Sequence, residues 1–130
     1  MKYAYPAIFT KDGDFITVRF PDLKNCFTEG SDIEDAIEAA EDVLCLTLYN
    51  LEEQGVAIPA PSDVRSISTD PDSFVSLVFC DTIEYRQFYD NRAVKKTLTI
   101  PSWLNTMSER AGVNFSAVLQ KALKQELKLG

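Results

Sequence analysis

The sequence contains no histidine, only three cysteines and no long uninterrupted apolar segment. Without an imidazole, catalysis by histidine, Ser–His or Cys–His nucleophile pairs and histidine-containing zinc sites are excluded. Cys26, Cys45 and Cys80 are far apart, odd in number and form no Cys-x-x-Cys pair. This pattern indicates buried thiols in a reducing compartment and not a disulfide framework.

Signals for secretion and for membrane insertion are also missing. The first residues lack the apolar segment of a signal peptide, and no apolar run approaches the roughly 18 residues that a membrane span requires. We therefore expect a cytoplasmic protein with no membrane partner. We also expect no cofactor and no bound metal.

Charge is distributed unevenly along the chain. The 130 residues include 13 Lys and Arg against 20 Asp and Glu, a net charge of −7 that argues against nucleic acid as a partner. Residues 1–91, however, hold 6 basic and 18 acidic side chains, whereas residues 92–130 hold 7 basic and 2 acidic ones. These net charges of −12 and +5 predict an acidic domain joined to a basic domain that can bind nucleic acid.

The acidic part has the pattern of a small antiparallel sheet. Residues 3–10 and 15–20 are rich in aromatic and β-branched side chains, and the Asp-Gly pair at 12–13 between them predicts a tight hairpin. Residues 26–28 are short enough for a third strand, and the apolar run at 74–79 predicts a fourth.

One helix is predicted between the third and fourth strands. Ser31 and Glu34 are spaced as a capping box at its start, and Gly55 marks its end. The apolar residues that recur at helical spacing are Ile33, Ala36, Ile37, Ala40, Leu44, Leu48 and Leu51. The opposite side carries the acidic residues Glu34, Asp35, Glu38, Glu41 and Asp42.

Several motifs of this part resemble the N-terminal domain of HicB antitoxins. Pro-Asp-Leu at 21–23, Cys-Phe-Thr-Glu-Gly at 26–30 and Ile-Pro-Ala-Pro-Ser at 58–62 occur in the family's order around the acidic helix. The resemblance implies a truncated RNase H-like sheet-plus-helix domain without nuclease activity, which we place at residues 1–81. Lys-Asn at 24–25 departs from the family's Pro-Gly, and we expect it to alter a turn without changing the fold.

An RNase H-like nuclease is the least favoured alternative. Two-metal phosphodiester cleavage requires convergent carboxylates, with one in the middle of a strand. The predicted first strand, residues 3–10, has no Asp or Glu, and Asp12 and Asp14 flank a turn glycine where acidic residues are common. We therefore expect no catalytic residue and no enzymatic activity.

A polar and aromatic linker is predicted at residues 82–93, followed by a basic domain at 94–130. Residues 94–100 read as one short strand, which Pro101 ends because proline cannot donate to a strand ladder. One face of this strand is polar and basic, with Lys95, Thr97 and Thr99. The two threonines are also typical of any exposed strand edge.

Two helices follow the strand. Ser102 is a candidate cap for the first, which Gly112 ends, and Asn114 is a candidate cap for the second. Their apolar positions are Leu104, Met107 and Ala111, and then Phe115, Val118, Leu119, Ala122, Leu123 and Leu127. So small a domain cannot bury a sufficient core alone, and a single strand leaves its amides unpaired. Two copies that pair their strands would meet both needs.

This arrangement resembles the ribbon-helix-helix fold over residues 95–127. The resemblance implies a homodimer whose two-stranded ribbon enters the major groove of operator DNA, with Lys95, Thr97 and Thr99 at the base edges. It also implies that the helix capped by Asn114 binds a backbone phosphate through the free amides of Phe115 and Ser116. The overall fold class is therefore α+β.

Together the two resemblances imply a type II antitoxin that neutralises a HicA-type mRNA-cleaving toxin and represses its own operon as a dimer or tetramer. Glu34, Asp35 and Glu38 are the candidate toxin-binding residues, although a solvated helix face would show the same charges. The alternative is a stand-alone ribbon-helix-helix regulator whose acidic domain oligomerises or senses another partner.

Overall fold

A four-stranded antiparallel sheet with one long helix forms the first of two compact units, and the chain divides after Arg92. The computed structural model describes residues 1–129. The strands are β1 (Lys2–Asp12), β2 (Phe15–Arg19), β3 (Phe27–Gly30) and β4 (Ser73–Asp81). The helices are α1 (Ile33–Gln54), α2 (Thr82–Tyr89), α3 (Ser102–Arg110) and α4 (Phe115–Glu126), with a 3-10 turn at Val64–Ser66.

The sheet has the predicted strand content, in the order β3-β2-β1-β4. β1 and β2 form the expected hairpin, in which Asp12 pairs with Phe15 and Gly13 adopts a φ of 61° that favours glycine. β4 pairs with β1 along nine residues, from Lys2 opposite Asp81 to Thr10 opposite Ser73. As a result, β3 and β4 are the two edges of the sheet.

α1 packs across one face of this sheet. Its fully buried side chains, which share one core with buried residues of β1, β2 and β4, are Ala36, Ala40, Leu44 and Leu48. Each large apolar side chain buried in this way contributes about 1.5–3 kcal/mol. Ile37, expected on the apolar side, is instead exposed. The start of α1 lies so close to β3 that a Cβ on Gly30 would overlap the backbone of Ala36.

The cap of α1 differs from the prediction by one residue. Asp32, not Ser31, is the N-cap, and its carboxylate accepts a hydrogen bond from the Asp35 N–H at 2.8 Å. The Asp35 carboxylate in turn accepts a bond from the Ser31 N–H at 2.9 Å. Asp32 and Asp35 thus form the reciprocal capping bonds that were predicted for Ser31 and Glu34. The shift is possible because several residues in this turn are able to cap. Gly55 ends the helix as predicted, with a φ of 67°.

The segment predicted as a linker at 82–93 begins with a helix, α2. Asp81 caps it by accepting a hydrogen bond from the Ile83 N–H at 3.0 Å. Thr82 is fully buried, and its hydroxyl donates to the Glu52 carboxylate of α1 at 2.9 Å. Thr82 and Arg86, two polar residues of the predicted linker, are therefore partners of Glu52 in α1, and the first unit includes this helix.

The second unit begins at Ala93 and contains α3 and α4. Residues 94–100, predicted as a strand, are exposed and form no strand ladder within residues 1–129. The predicted pairing requires the same segment of a second copy of the chain. Pro101, not Ser102, occupies the N-cap position of α3 and makes no side-chain cap bond. Asn114 caps α4 as predicted, because its side-chain oxygen accepts a bond from the Ala117 N–H at 3.0 Å. None of the helices between residues 1 and 129 is long and apolar enough to cross a bilayer.

Candidate functional site

The predicted acidic residues near the start of α1 all lie on its exposed side. Asp35 is committed to the helix cap, where it accepts bonds from the backbone and the hydroxyl of Ser31. Glu34 and Glu38 form no side-chain hydrogen bond or ion pair with any residue of the described chain, 1–129. Glu34 and Glu38 are therefore the two members of the predicted set that are available to a partner.

The same side of α1 leads into a groove that the sequence did not predict. The groove lies between α1, α2 and the end of β4 and has a volume of about 530 Å³. Its acidic lining consists of Glu41, Asp42, Asp81 and Glu84. Its aromatic lining consists of Phe79, Tyr85, Phe88 and Tyr89. We call this feature the acidic–aromatic groove.

Two thiols lie in the lining of this groove. Cys80 is buried and Cys45 is half-buried. The interaction with the Cys80 thiol lowers the pKa of Cys45, although partial burial acts in the opposite direction. The interaction with Cys45, together with burial, raises the pKa of Cys80. Within residues 1–129 no three His, Cys, Asp or Glu side chains are placed to hold a metal ion.

A network centred on Glu52 fixes the position of α2, and hence of one wall of the groove. The Glu52 carboxylate accepts hydrogen bonds from Tyr3 at 2.8 Å, Thr82 at 2.9 Å and Arg86 at 3.1 Å. Burial acts to raise the pKa of Glu52, but these three bonds outweigh it and lower the pKa. Burial and the bond to Glu52 raise the pKa of Tyr3 to about 12. The Arg86 guanidinium also lies 4.7 Å from the centre of the Tyr49 ring.

Sequence reasoning missed the groove because its walls come from distant parts of the chain. One local pattern pointed to it: Tyr85, Phe88 and Tyr89 are spaced three and four residues apart, as on one side of a helix. In the structure, adjacent rings of this set have their centres 4.6–4.8 Å apart. The aromatic residues of the predicted linker therefore form one packed cluster.

In the second unit, the predicted DNA-binding residues are all exposed: Lys95, Thr97, Thr99, Asn114, Phe115 and Ser116. The first three alternate along the extended segment before Pro101. Asn114 accepts the Ala117 N–H with its side chain and the Val118 N–H with its carbonyl. The N–H groups of Phe115 and Ser116, in the first turn of α4, have no partner within the helix.

The second unit leaves its apolar side chains uncovered. No residue of α3 or α4 is buried, and Leu98, Met107, Val118 and Leu127 are each more than half exposed.

Comparison with known proteins relates the whole chain to one group. The model of a family described as HicB_like antitoxin of bacterial toxin-antitoxin system matches residues 5–122. A toxin–antitoxin complex from Streptococcus pneumoniae contains a chain that is 32% identical, with a TM-score of 0.62; the match covers 97% of this chain and 99% of that one.

Two further solved structures are similar. A HicA3 and HicB3 toxin–antitoxin complex contains a chain with 25% identity and a TM-score of 0.52, covering 61% of this chain and 99% of that chain. The Burkholderia pseudomallei antitoxin HicB shares the fold, with 21% identity, a TM-score of 0.51 and coverage of 100% of this chain and 98% of that one. No curated protein sequence matches.

Proposed function

Because this chain belongs to the HicB-like antitoxin family of bacterial toxin–antitoxin systems, we propose that it neutralises a HicA-type ribonuclease toxin and represses its own operon. The family match over residues 5–122 carries this proposal, since it runs through both structural units. It also confirms the resemblance to HicB antitoxins that the sequence motifs indicated.

The first unit is the part that we propose to bind the toxin. We assign it a truncated RNase H-like fold, now extended by α2 beyond the predicted boundary at residue 81. A ribonuclease must attract anionic RNA, so its RNA-binding surface is expected to be basic. The acidic side of α1, including Glu34, Asp35 and Glu38, has the charge that would attract and mask such a surface.

The second unit is the part that we propose to bind DNA. In a ribbon-helix-helix dimer, residues 94–100 of two copies pair, and Lys95, Thr97 and Thr99 face the bases. The free amides of Phe115 and Ser116 after the Asn114 cap would bind a phosphate. The exposed apolar residues of α3 and α4 support this proposal, because a dimer would bury them.

Co-expression tests the antitoxin function directly. A HicA-type toxin encoded beside this gene is expected to arrest growth when expressed alone. Growth should be restored when this chain is co-expressed, and the two proteins should purify together through a tag on either one. If this chain neither restores growth nor purifies with the toxin, the proposed neutralisation is wrong.

A further inference from the structure

We propose that the toxin docks in the acidic–aromatic groove and places there a segment that bears Lys or Arg side chains. This inference rests on the proposed function, because it identifies the surface through which that partner is held. It also moves the centre of the contact away from the start of α1, where the sequence placed it.

Three of the four carboxylates that line the groove have no cationic partner within residues 1–129. Its lining contains four carboxylates and no Lys or Arg. Asp81 caps α2 and lies 3.9 Å from the N-terminal ammonium of Met1, whereas Glu41, Asp42 and Glu84 form no side-chain hydrogen bond or ion pair within residues 1–129. By contrast, the nearby Glu52 and Glu53 are both paired with Arg86. Glu41, Asp42 and Glu84 are thus left for an external cation.

Exposed aromatic rings accompany these carboxylates. Phe88 is 78% exposed, Tyr89 66% and Phe79 56%, and they line a single groove. An aromatic face attracts an ammonium or guanidinium group, and it also packs against the apolar stem of a Lys or Arg side chain. The same pairing occurs within this chain, where Arg86 lies over Tyr49. A basic segment therefore fits both the charge and the apolar surface of the groove.

The groove is also prearranged for binding. The Glu52 network holds α2 against α1, and the packed rings of Tyr85, Phe88 and Tyr89 restrict each other. A partner then loses less affinity to the ordering of this surface. Glu38 and Glu34 precede Glu41 on the same side of α1 at helical spacing, so they extend the acidic surface beyond the groove.

Two substitutions with matched controls test the assignment. Asp42→Lys reverses one groove charge, and Asp14→Lys makes the same change at the exposed β1–β2 turn. Phe88→Ala removes an exposed groove ring, and Phe15→Ala removes an exposed ring from β2. All four side chains are exposed, so the variants should match the wild type in circular dichroism and thermal unfolding.

Binding is measured with a catalytically inactive form of the HicA-type toxin, by biosensor kinetics at low salt. We expect each groove variant to raise the Kd at least about tenfold, as at the centre of an interface. Asp42→Lys should also slow association, because charge acts mainly on that rate. Each control variant should stay within about twofold of the wild type.

The outcomes separate the two proposals. If the wild type binds the toxin and both groove variants bind equally well, the groove is not the docking site, although the antitoxin function stands. If the wild type does not bind the toxin, the proposed function fails, and the inference fails with it. A change in oligomeric mass by light scattering, with unchanged toxin binding, would assign the groove to a second copy of this chain and overturn the inference.

Discussion

Three thiols in the first unit differ in their local surroundings. Cys26 is buried and its pKa is raised by that burial, although a hydrogen bond from Thr47 acts in the opposite direction. The pKa of Cys80 is raised by its interaction with Cys45 and by burial. Only Cys45 combines partial exposure with a lowered pKa. Because the thiolate is the reactive form, these differences predict selective chemistry.

Brief treatment of the native protein with iodoacetamide at mildly alkaline pH should therefore alkylate Cys45 first. Cys26 and Cys80 should react much more slowly, since both thiols are buried and have raised pKa values. Mass spectrometry of the three cysteine-containing peptides measures the order. In guanidinium chloride, all three should react at similar rates. Faster labelling of Cys80 than of Cys45 in the native protein would contradict the thiol arrangement described above.

Elements with a strong local signature were predictable from the sequence. The hairpin at Gly13, the end of α1 at Gly55 and the cap of α4 at Asn114 each depend on one residue type with a specific backbone preference. The cap of α1 was misplaced because Ser31 and Asp32 are both good caps, and only the tertiary position of the turn selects between them.

α2 and the groove could not be predicted from local patterns, because both depend on contacts between residues that are distant in the sequence. The helix is short, and its polar residues are also typical of a linker. What holds it is the bonding of Thr82 and Arg86 to Glu52, a residue thirty positions earlier than Thr82. No pattern within the segment reveals such partners. The same limit explains why the packing role of Gly30 was not predicted, although β3 and α1 could not approach each other so closely with a larger residue there.

The Glu52 network gives α2 a measurable pH dependence. In the folded protein the pKa of Glu52 lies below its ordinary value of 4.5. The ionised carboxylate therefore stabilises the fold above that pH, and this contribution is lost as the pH falls through the folded-state pKa. Glu52→Gln should lower the free energy of unfolding at neutral pH by about 1–3 kcal/mol, because it weakens several part-buried hydrogen bonds.

Urea unfolding of the wild type and of Glu52→Gln, followed from neutral to acidic pH, tests this prediction. The difference between the two proteins should shrink as the pH falls below 4.5, the ordinary pKa of Glu52. Glu53→Gln is the matched control, since Glu53 also pairs with Arg86 but is about half exposed, so a smaller effect is expected. An equal effect of both substitutions would mean that Glu52 does not anchor α2.

At the scale of the whole molecule, the net charge of −7 conceals two opposite parts. An acidic unit suits a basic protein partner, and a basic unit suits an anionic polymer. In a dimer, the basic units of two chains would join, and their positive charges would lie together around the two-stranded ribbon. The two proposed activities therefore use opposite charges of a single chain to bind different partners.

The DNA-binding proposal is tested most directly at Lys95. In the proposed dimer this side chain faces the bases, so Lys95→Ala should weaken binding to the promoter DNA of its own operon by about 1–3 kcal/mol and relax its sequence preference. Lys11→Ala, which removes the same charge from β1 in the first unit, should leave binding unchanged.

Fluorescence anisotropy with promoter and scrambled DNA at several salt concentrations gives both affinity and specificity. Loss of one phosphate contact alone would lower affinity equally for both sequences. If Lys95→Ala and Thr97→Ala both bind the promoter as the wild type does, the assignment of residues 94–100 to a DNA-reading ribbon is wrong.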